Sequence, residues 1–369
     1  MHVVVAPDQF AGSLSAVQAA HAIADGWSTR SPTDTFSVLP MSDGGCGFVD
    51  VMHEALDAQL VAVTVRGPLG AATPGAVVLD GSTAYVESSQ AVGGHLVAPA
   101  DREPERGTSY GVGQLVTAAV DAGARRVVVG VGDGVTNDGG AGLLAALGAI
   151  ADVDLDKGPE ALRGITRIDL TPARARLGGV EVVLATDDPI PLLGLFGTTK
   201  AAGVQRGVSA ERAPALDLLL DEYVVAATGP TPRQRRPAQA PGAGAAGGVG
   251  FALLTLGATR ESGLAVVAQA SGLVARARQC DLVLTGAAAY DFSSRAGSVV
   301  YGVAQIAQEA LRPCVVLAEQ VLVGAREMRA MGVESAYAVV DLVGEPVAPE
   351  DPAAGLRRLG QRVARTWSR

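Results

Sequence analysis

Short apolar runs alternate with longer helical patterns at the start of the chain. Val3–Ala6 is an apolar run of the type found in buried strands, and a polar turn and a helix predicted over Ser15–Gly26 follow it. A second strand at Thr35–Pro40 leads through a glycine-rich turn to a helix at Phe48–Ala58. Strand, polar turn and helix in this order predict the opening of a parallel, doubly wound sheet.

The pattern changes in the middle of the chain and returns near its end. Val61–Glu87 alternates strand-like runs with Gly/Pro turns, which favours antiparallel hairpins. The first domain is therefore predicted to be discontinuous, 1–62 plus 280–369, with 63–279 inserted as a second, mixed α/β domain. The further elements predicted are a helix from Thr108 to near Gly123, a strand at Val180–Ala185, a helix at Val208–Thr228, a strand at Asp281–Thr285, a helix at Ser298–Ala310, a strand at Pro313–Ala318, a helix at Ala325–Met331, a strand at Ala336–Val340 and a helix at Pro352–Trp367.

One stretch of the inserted part, Arg125–Gly148, combines a strand, a glycine-rich turn and a helix. The turn carries Thr136, Asn137 and Asp138. N–H groups at such a strand-to-helix turn, together with the helix dipole, favour a bound anion such as phosphate or carboxylate. An equally weighted alternative is that Asp138 only caps the helix.

Carboxylates recur where predicted strands end. Asp8 and Asp43 follow the first two strands, and Asp187 and Asp188 follow Val180–Ala185. Ligands of parallel sheets bind at the carboxyl ends of the strands, so Asp8 and Asp43 are placed to share a metal or a hydroxyl substrate. Because Asp-Gly is a common turn pair, a purely structural role in turns is the alternative.

Two loops in the inserted part add further candidates. Gly229–Ala240 is polar and proline-rich and is predicted to be a mobile surface loop; its three arginines make an arginine lid over a phosphate a second hypothesis. Pro241–Gly248 contains G-x-G-x-x-G but does not follow a strand, so it favours an anion-binding helix start over a dinucleotide site. The sequence contains no Walker A motif.

Composition limits the class of protein. The 369 residues are 48% hydrophobic and 18% charged, which suits about two domains with large cores. A net charge of −9 and 4% aromatic residues argue against nucleic-acid binding, and no apolar run is long enough to predict a membrane span. Three cysteines without metal-like spacing favour reduced thiols, so we expect a cytoplasmic protein.

Motifs are spread along the whole chain in the segments APDQFAGSLSA, PMSDGGCGFVD, TSYGVGQL, GVGDGVTNDGGAGLLAALGA, PGAGAAGG and the late LVLTG…D…G…GVA. Taken together, these motifs resemble those of the bacterial glycerate kinase family, which phosphorylates D-glycerate at its 2-hydroxyl. The resemblance covers essentially the whole chain, in order. It implies two α/β domains, one of them flavodoxin-like with a parallel sheet and the other a mixed-sheet domain, with the active site in the cleft between them.

The chain also departs from the family pattern. Most departures shorten polar groups that the resemblance places near substrate and phosphate, whereas the glycines and apolar strands are kept. Phosphoryl transfer depends on positioned cations and metals, so these replacements put full kinase activity in question. Ala11, Ala289 and Ser298 replace cations, Cys46 and Ala287 replace glutamates, Gln114 replaces a glutamate, Ser293 a glutamine, Asp133 stands for a glycine, and the asparagine expected near Asp187–Pro191 is absent.

Two functional hypotheses follow. The first is a phosphotransferase that uses ATP and Mg²⁺ on D-glycerate or a related small hydroxy acid, with Asp43 or Asp187 accepting the hydroxyl proton. The second is a catalytically silent or repurposed homologue that binds ligands or performs other chemistry, in which Cys46 either fills space or is an activated thiol. The sequence leaves a homodimer open. The candidate residues are Asp43, Asp187 and Asp291 for catalysis, Asp43 and Asp187 for Mg²⁺, and Asp8, Ser13, Thr136, Asn137, Asp138, Gly139, Gly242, Gly244 and Arg206 for substrate or phosphate, with Arg206, Arg295 or a loop arginine as replacement cations.

Overall fold

The structure is a computed structural model that describes residues 1–10, 12–292, 297–342 and 351–368. Ala11, Ser293 and Arg295, which the sequence analysis singled out, lie outside these ranges. Contacts divide the chain into two compact units. Unit 1 comprises Met1–Asp43, Asp50–Asp57 and Leu264–Arg369, and unit 2 comprises Gly44–Val49 and Ala58–Gly263.

The elements alternate along the described chain as an α/β protein requires. The strands are β1 (His2–Val5), β2 (Thr35–Val38), β3 (Gln59–Arg66), β4 (Ala72–Asp80), β5 (Thr83–Glu87), β6 (Arg126–Gly130), β7 (Ile150–Ala151), β8 (Ile168–Asp169), β9 (Glu181–Ala185), β10 (Thr259–Glu261), β11 (Leu282–Tyr290), β12 (Cys314–Val321) and β13 (Ser335–Ala338). The α-helices are α1 (Ala16–Arg30), α2 (Phe48–Leu56), α3 (Ser89–Val92), α4 (Tyr110–Asp121), α5 (Ala141–Ala146), α6 (Thr171–Leu177), α7 (Thr198–Ala201), α8 (Ala213–Thr228), α9 (Arg236–Gln239), α10 (Val249–Thr255), α11 (Gly263–Ala270), α12 (Leu273–Gln279), α13 (Val299–Glu309), α14 (Ala325–Ala330) and α15 (Pro352–Trp367).

Unit 1 contains a five-stranded parallel sheet in the order β13-β12-β11-β1-β2. β1 pairs with β2 on one side and with β11, far along the chain, on the other; Val3 lies beside both Phe36 and Leu282. The apolar runs of β1 and β11 are buried because helices cover the sheet. The predicted parallel, doubly wound sheet is confirmed.

The first and last helices of unit 1 cross in close contact. A Cβ atom on Gly26 of α1 would lie 2.1 Å from the carbonyl oxygen of Arg357 in α15, and one on Gly360 would lie 2.6 Å from that of Ile23. Glycine at both positions lets the two backbones approach, and Trp27 and Leu359 are fully buried beside them. This contact brings the two ends of the described chain together in one core.

Unit 2 contains a mixed six-stranded sheet in the order β10-β9-β6-β5-β4-β3. β3, β4 and β5 are antiparallel neighbours, whereas β5, β6, β9 and β10 are parallel. The antiparallel hairpins predicted over Val61–Glu87 are therefore confirmed, and so is the mixed α/β class of this part. β7 and β8 form a separate two-stranded pair.

Several predicted elements have different limits in the structure. α8 begins at Ala213 rather than Val208, because Gly207 has a φ of 91° and ends a preceding 3₁₀ turn. β11 extends past Thr285 to Tyr290, since it keeps pairing with β12 as far as Val321. The prediction that Gly229–Ala240 lies wholly at the surface is wrong for its end, where Ala238 is fully buried in α9 and its carbonyl accepts a hydrogen bond from the Leu192 N–H.

The boundaries between the units also differ in position from those read off the sequence. α12 contacts β1 and α13, so residues from Leu264 onward lie in unit 1, and the chain passes to unit 2 at Ala58. Hydrophobic patterning cannot locate such a boundary, because helices on either side of it have the same amphipathic pattern. None of the described helices is both long and apolar enough to cross a membrane.

Candidate active site

The carboxyl edge of the sheet in unit 1 carries three of the predicted carboxylates. Asp8 follows β1, Asp43 follows β2 and Asp291 directly follows β11. β1 is the neighbour of both other strands, and all three run parallel, so these residues follow strands that end at the same edge. The sequence-based expectation that Asp8 and Asp43 occupy equivalent strand-end positions agrees with this arrangement.

Asp8 and Asp43 interact electrostatically. Burial, and in second place the negative charge of Asp43, raises the pKa of Asp8 to about 8, although the Gln9 N–H donates to Asp8 Oδ1 at 2.7 Å. Two carboxylates that interact in this way resist ionising together, so near neutral pH Asp8 holds a proton beside the negative charge of Asp43. The pair can therefore offer one acid and one carboxylate to a ligand.

Ser13 lies at the same edge and has an acidic partner that sequence reasoning missed. Its hydroxyl lies 2.9 Å from Glu319 Oε1 and 3.0 Å from the Phe10 carbonyl oxygen. Glu319 lies in β12, immediately after the buried apolar residues of that strand. A carboxylate that interrupts an apolar run at its carboxyl end is the signal that could have identified it.

In unit 2, the strand-to-helix turn of the GDGVTNDGG segment is organised by Asp138. Its carboxylate is fully buried and accepts hydrogen bonds from four donors: Ser109 N–H and hydroxyl (both 2.8 Å), Gly140 N–H (3.0 Å) and Gly142 N–H (3.1 Å). Burial raises the pKa of Asp138, and these four hydrogen bonds act in the opposite direction. The sequence left open whether Asp138 binds a ligand or caps the helix. The structure favours the cap, because Asp138 accepts hydrogen bonds from N–H groups at the start of α5.

The neighbouring polar residues of this turn are also engaged within the protein. Thr136 donates to the Ala246 carbonyl at 3.3 Å, and the Asn137 side-chain amide donates to the Thr199 hydroxyl at 3.1 Å. Both side chains are fully buried. The turn is therefore a rigid element, whose role in binding substrate or phosphate stays a prediction.

The two glycine-rich loops of unit 2 interlock. The Gly139 N–H donates to the Gly247 carbonyl at 3.0 Å, and the Ala246 N–H donates to the Gly132 carbonyl at 2.9 Å. A Cβ atom on Gly247 would lie 1.9 Å from the carbonyl oxygen of Thr136. Glycine is thus required at Gly247 for close approach of one loop to the other.

Backbone N–H groups that an anion would need are used in this contact. The Gly244 N–H donates to the Ile190 carbonyl at 2.9 Å, as Gly139 donates to Gly247. A Cβ on Gly242 would lie 3.0 Å from the Thr186 methyl group. These glycines therefore connect three loops at the carboxyl ends of β6 and β9. That they also contact a phosphate stays a prediction.

Arg206, predicted to meet substrate or to replace a lost cation, is buried with 3% exposure. Its Nε donates to the Gly134 carbonyl at 2.9 Å, and its Nη1 lies 2.9 Å from both the carbonyl and the hydroxyl of Thr198. Burial lowers the pKa of this guanidinium, while Asp133 and Asp188 raise it. The side chain thus ties the GDGVTNDGG turn to α7 and balances nearby carboxylates.

The loop after β9 carries Asp187 and Asp188, both half-buried. Asp188 Oδ1 accepts from the Ile190 N–H at 2.8 Å, and its pKa is raised first by burial and then by the charge of Asp133. Asp188 therefore stabilises the conformation of the loop that contains it. Asp187 lies next to it at the strand end, where a ligand of a parallel sheet is expected.

A second carboxylate missed by sequence reasoning is Glu87, at the end of β5. It is buried and accepts from the Gly47 N–H at 3.1 Å and from the Val49 N–H at 3.0 Å, at the start of α2. This fixes Gly44–Val49 within unit 2, where a Cβ on Gly44 would lie 2.4 Å from the Ala185 carbonyl oxygen. Only the pairing of β5 with β6 brings Glu87 to this segment, so local patterning could not find it.

Comparison with known proteins identifies the chain's relatives. A model of the glycerate kinase family matches residues 3–368. The chain belongs to the glycerate kinase family. An uncharacterized protein of Mycobacterium bovis is 37% identical over 99% of this chain and 91% of its own, and the glycerate 2-kinase of Escherichia coli is 33% identical over 93% and 92%. A solved Salmonella typhimurium structure described as "putative glycerate kinase 2" shares 33% identity and superposes with a TM-score of 0.81 over 99% of this chain and 98% of that one.

The positions that depart from the family pattern have defined surroundings in the structure. Gln114 Oε1 accepts from the Arg66 N–H at 2.7 Å, and the Ser298 hydroxyl accepts from the Tyr301 N–H at 3.2 Å and caps α13. Ala287 is half-buried and Ala289 exposed, both near the carboxyl end of β11, and Cys46 is exposed. Gln114 and Ser298 thus support secondary structure, and the exposure of Cys46 argues against the idea that it fills a buried space.

A metal centre made by the protein alone needs several ligating side chains close together. Among the residues that the structure describes, no three His, Cys, Asp or Glu side chains gather as a ready-made site. Mg²⁺ commonly takes only one or two carboxylates and completes its shell with water and substrate phosphate. The Asp8–Asp43 pair fits that mode, because a divalent cation beside it would relieve the repulsion that keeps Asp8 protonated.

Proposed function

We propose that this protein is an ATP-dependent kinase that phosphorylates a hydroxyl of D-glycerate or a related small hydroxy acid in the cytoplasm. The observation that supports it most is the family match over residues 3–368, together with relatives named glycerate kinase over almost their whole length. The proposal is also supported by the strand-end carboxylates of unit 1, which offer polar groups, and by the interlocked glycine loops of unit 2, which offer a rigid backbone, since phosphoryl transfer depends on positioned groups.

Asp43 is the residue proposed to accept the hydroxyl proton, with Asp187 as the alternative. Because Asp8 retains a proton near neutral pH, Asp43 is the ionised member of the pair and has an accepting oxygen for the hydroxyl. The protonated Asp8 can donate a hydrogen bond to a substrate oxygen and so orient it. Asp291, which follows the neighbouring strand β11, is proposed as a third catalytic carboxylate at this edge of the sheet.

Mg²⁺ is proposed to be held by Asp43 beside Asp8, the carboxylate pair of unit 1 described above. Asp187, the other candidate from the sequence, lies in unit 2. When bound, the ion would neutralise charge on the transferring phosphate. Asp138, Asn137 and Thr136 keep the GDGVTNDGG turn of unit 2 in place through the contacts described above. Arg206 donates to the Gly134 and Thr198 carbonyls inside unit 2. Its positive charge is therefore proposed to act by holding the GDGVTNDGG turn in place.

The test is an assay of the purified protein with ATP, Mg²⁺ and D-glycerate, with phosphoglycerate identified by ³¹P NMR. We expect turnover, and we expect Asp43→Asn to reduce kcat by about a hundredfold or more. Asp50→Asn, at an exposed position of α2, is the matched control and should retain wild-type turnover.

The outcomes separate the kinase from the silent or repurposed homologue. Nucleotide binding without any product would favour a regulatory protein and overturn the proposal. A second experiment restores the family side chains with Ala11→Lys, Cys46→Glu, Ala287→Glu, Ala289→Arg and Ser298→Lys together. If wild-type turnover is weak, an increase in this variant would attribute the weakness to the replaced side chains.

A further inference from the structure

A cavity of about 390 Å³ lies in unit 2, and none of its lining residues belongs to the GDGVTNDGG or PGAGAAGG segments. Three segments line it: the turn between β3 and β4, the segment that leads into α4, and the turn after Asp156. Its lining residues are Arg66, Pro68, Leu69, Gly70, Glu103, Arg106, Thr108, Asp156 and Lys157. The volume is in the range of sites that bind small molecules.

The three segments are fixed to one another by backbone contacts. The Thr108 N–H donates to the Pro68 carbonyl at 2.9 Å, and the Glu160 N–H donates to the Glu105 carbonyl at 3.2 Å. Gly158 has a φ of 85°, and a Cβ on it would lie 2.5 Å from the carbonyl carbon of Arg106. The cavity is therefore pre-formed, which reduces the entropy lost when a ligand binds.

Arg66 is held in place at the cavity wall. Its guanidinium lies 3.9 Å above the ring of Tyr110, and its Nη1 donates to Asp156 Oδ2 at 2.7 Å. In the part of the chain that the structure describes, this is the one protein acceptor of its guanidinium N–H groups. The remaining N–H groups of a planar, oriented guanidinium are suited to bind a phosphate or carboxylate.

The lining has an excess of positive charge in a chain whose net charge is −9. Arg66, Arg106 and Lys157 face two carboxylates, Asp156 and Glu103. Thr108 is buried and its hydroxyl accepts from the Tyr110 N–H at 3.3 Å, which leaves its own proton to donate. Lysine is scarce in this sequence, and Lys157 is one of two.

We propose that this cavity binds a small phosphate monoester, with the phosphate between Arg66, Arg106 and Lys157 and the organic part against Pro68 and Leu69. A phosphate monoester carries close to two negative charges at neutral pH and can accept several charge-assisted hydrogen bonds. None of the strand-end carboxylates lines the cavity, and its existence does not depend on the proposed kinase activity.

The test is calorimetric titration of the full-length protein with inorganic phosphate and with glycerol 2-phosphate, in Mg²⁺-free buffer of low ionic strength. We expect saturable binding of one ligand per chain that weakens as salt is added. Lys157→Glu and Arg106→Glu should each weaken binding about fivefold or more, because each reverses a charge beside the phosphate.

Arg163→Glu is the matched control. Arg163 pairs with Glu160 three residues away at 2.8 Å, just as Arg106 pairs with Glu103 at 2.8 Å, and both arginines are exposed, but Arg163 does not line the cavity. Binding in this variant should stay within about twofold of wild type. Thermal unfolding of each variant verifies that the exposed substitutions leave the fold intact.

Three results would overturn the proposal. One is the absence of saturable binding of either probe, and another is equal weakening by Arg163→Glu, which would reveal non-specific attraction. The third is a rise in KM for ATP or D-glycerate in Lys157→Glu, which would place the cavity at the catalytic site. Unchanged KM values with weakened phosphate binding would support a separate site.

Discussion

Ser109 and Asp138, 29 residues apart in sequence, are joined by two hydrogen bonds, since both the N–H and the hydroxyl of Ser109 donate to Asp138 Oδ2 at 2.8 Å. The Ser109 hydroxyl oxygen also accepts from the Leu143 N–H at 3.0 Å. One serine and one carboxylate thus connect the start of α4 to the start of α5. This pair keeps the GDGVTNDGG turn in position.

Asp138→Asn should reduce the free energy of unfolding by about 3 kcal/mol, because the amide group directs N–H donors at protein N–H groups. Asp169→Asn is the control. Asp169 also accepts an N–H at a helix start, that of Thr171 at 2.9 Å, but it is exposed, so Asp169→Asn should destabilise the protein much less than Asp138→Asn. Urea denaturation measures both, and equal effects would contradict the role given to the buried carboxylate.

Stability should depend on pH through Asp8. Its pKa is raised to about 8 in the folded protein, so the folded state binds the proton more tightly than the unfolded chain. This contribution to stability is fully present below the unfolded pKa of about 4 and is lost as the pH rises through about 8. Asp8→Asn lacks this titration, so relative to wild type it should become progressively more stable between about pH 4 and pH 8.

Urea denaturation of wild type and Asp8→Asn at several pH values gives the difference directly. The free energy of unfolding of Asp50→Asn, at an exposed position, should show the same dependence on pH as that of wild type. A constant difference between wild type and Asp8→Asn would show that Asp8 does not hold a proton in the folded protein.

Arg206→Gln should destabilise the protein by about 3 kcal/mol. It leaves the Gly134 and Thr198 carbonyls without a buried donor and Asp133 and Asp188 without their neighbouring cation. Arg235→Gln removes a partly exposed ion pair with Asp221 and should cost about 1 kcal/mol or less. If Arg206→Gln instead left stability unchanged and raised KM for ATP, Arg206 would contact the nucleotide directly.

Gly247→Ala should reduce the free energy of unfolding much more than Gly257→Ala, although both glycines have positive φ, 70° and 102°. The backbone penalty for alanine in this region is about 1–2 kcal/mol and applies to both. A Cβ on Gly247 also meets the Thr136 carbonyl oxygen at 1.9 Å, whereas one on Gly257 has open space. The difference in unfolding free energy between the variants, together with loss of kinase activity only in Gly247→Ala, would measure the contact between the loops.

The replaced family positions illustrate the limits of reasoning from side-chain identity. Ser298 in place of a lysine suggests a lost cation, but in the structure its hydroxyl caps α13. Gln114 in place of a glutamate suggests a lost carboxylate, yet its oxygen still accepts the Arg66 N–H. Arg206 looked like a replacement cation, and the structure buries it under the turn that it supports.

The sequence by itself determined the local elements and their order. The apolar run of β1, the polar turn after it and the amphipathic pattern of α1 suffice to predict a parallel α/β sheet, because these signals arise within about ten to twenty residues. The strand-end positions of Asp8, Asp43 and Asp187 follow from the same local reasoning.

Only the tertiary structure decided which distant groups meet. Glu87 reaches the start of α2 because β5 pairs with β6, Glu319 reaches Ser13 because β12 lies in the same sheet as β1, and Asp138 reaches Ser109 because α4 and α5 begin side by side. Each of these contacts joins residues 29 or more positions apart. Local patterning contains no information at that range, since burial and pairing energies depend on the whole fold.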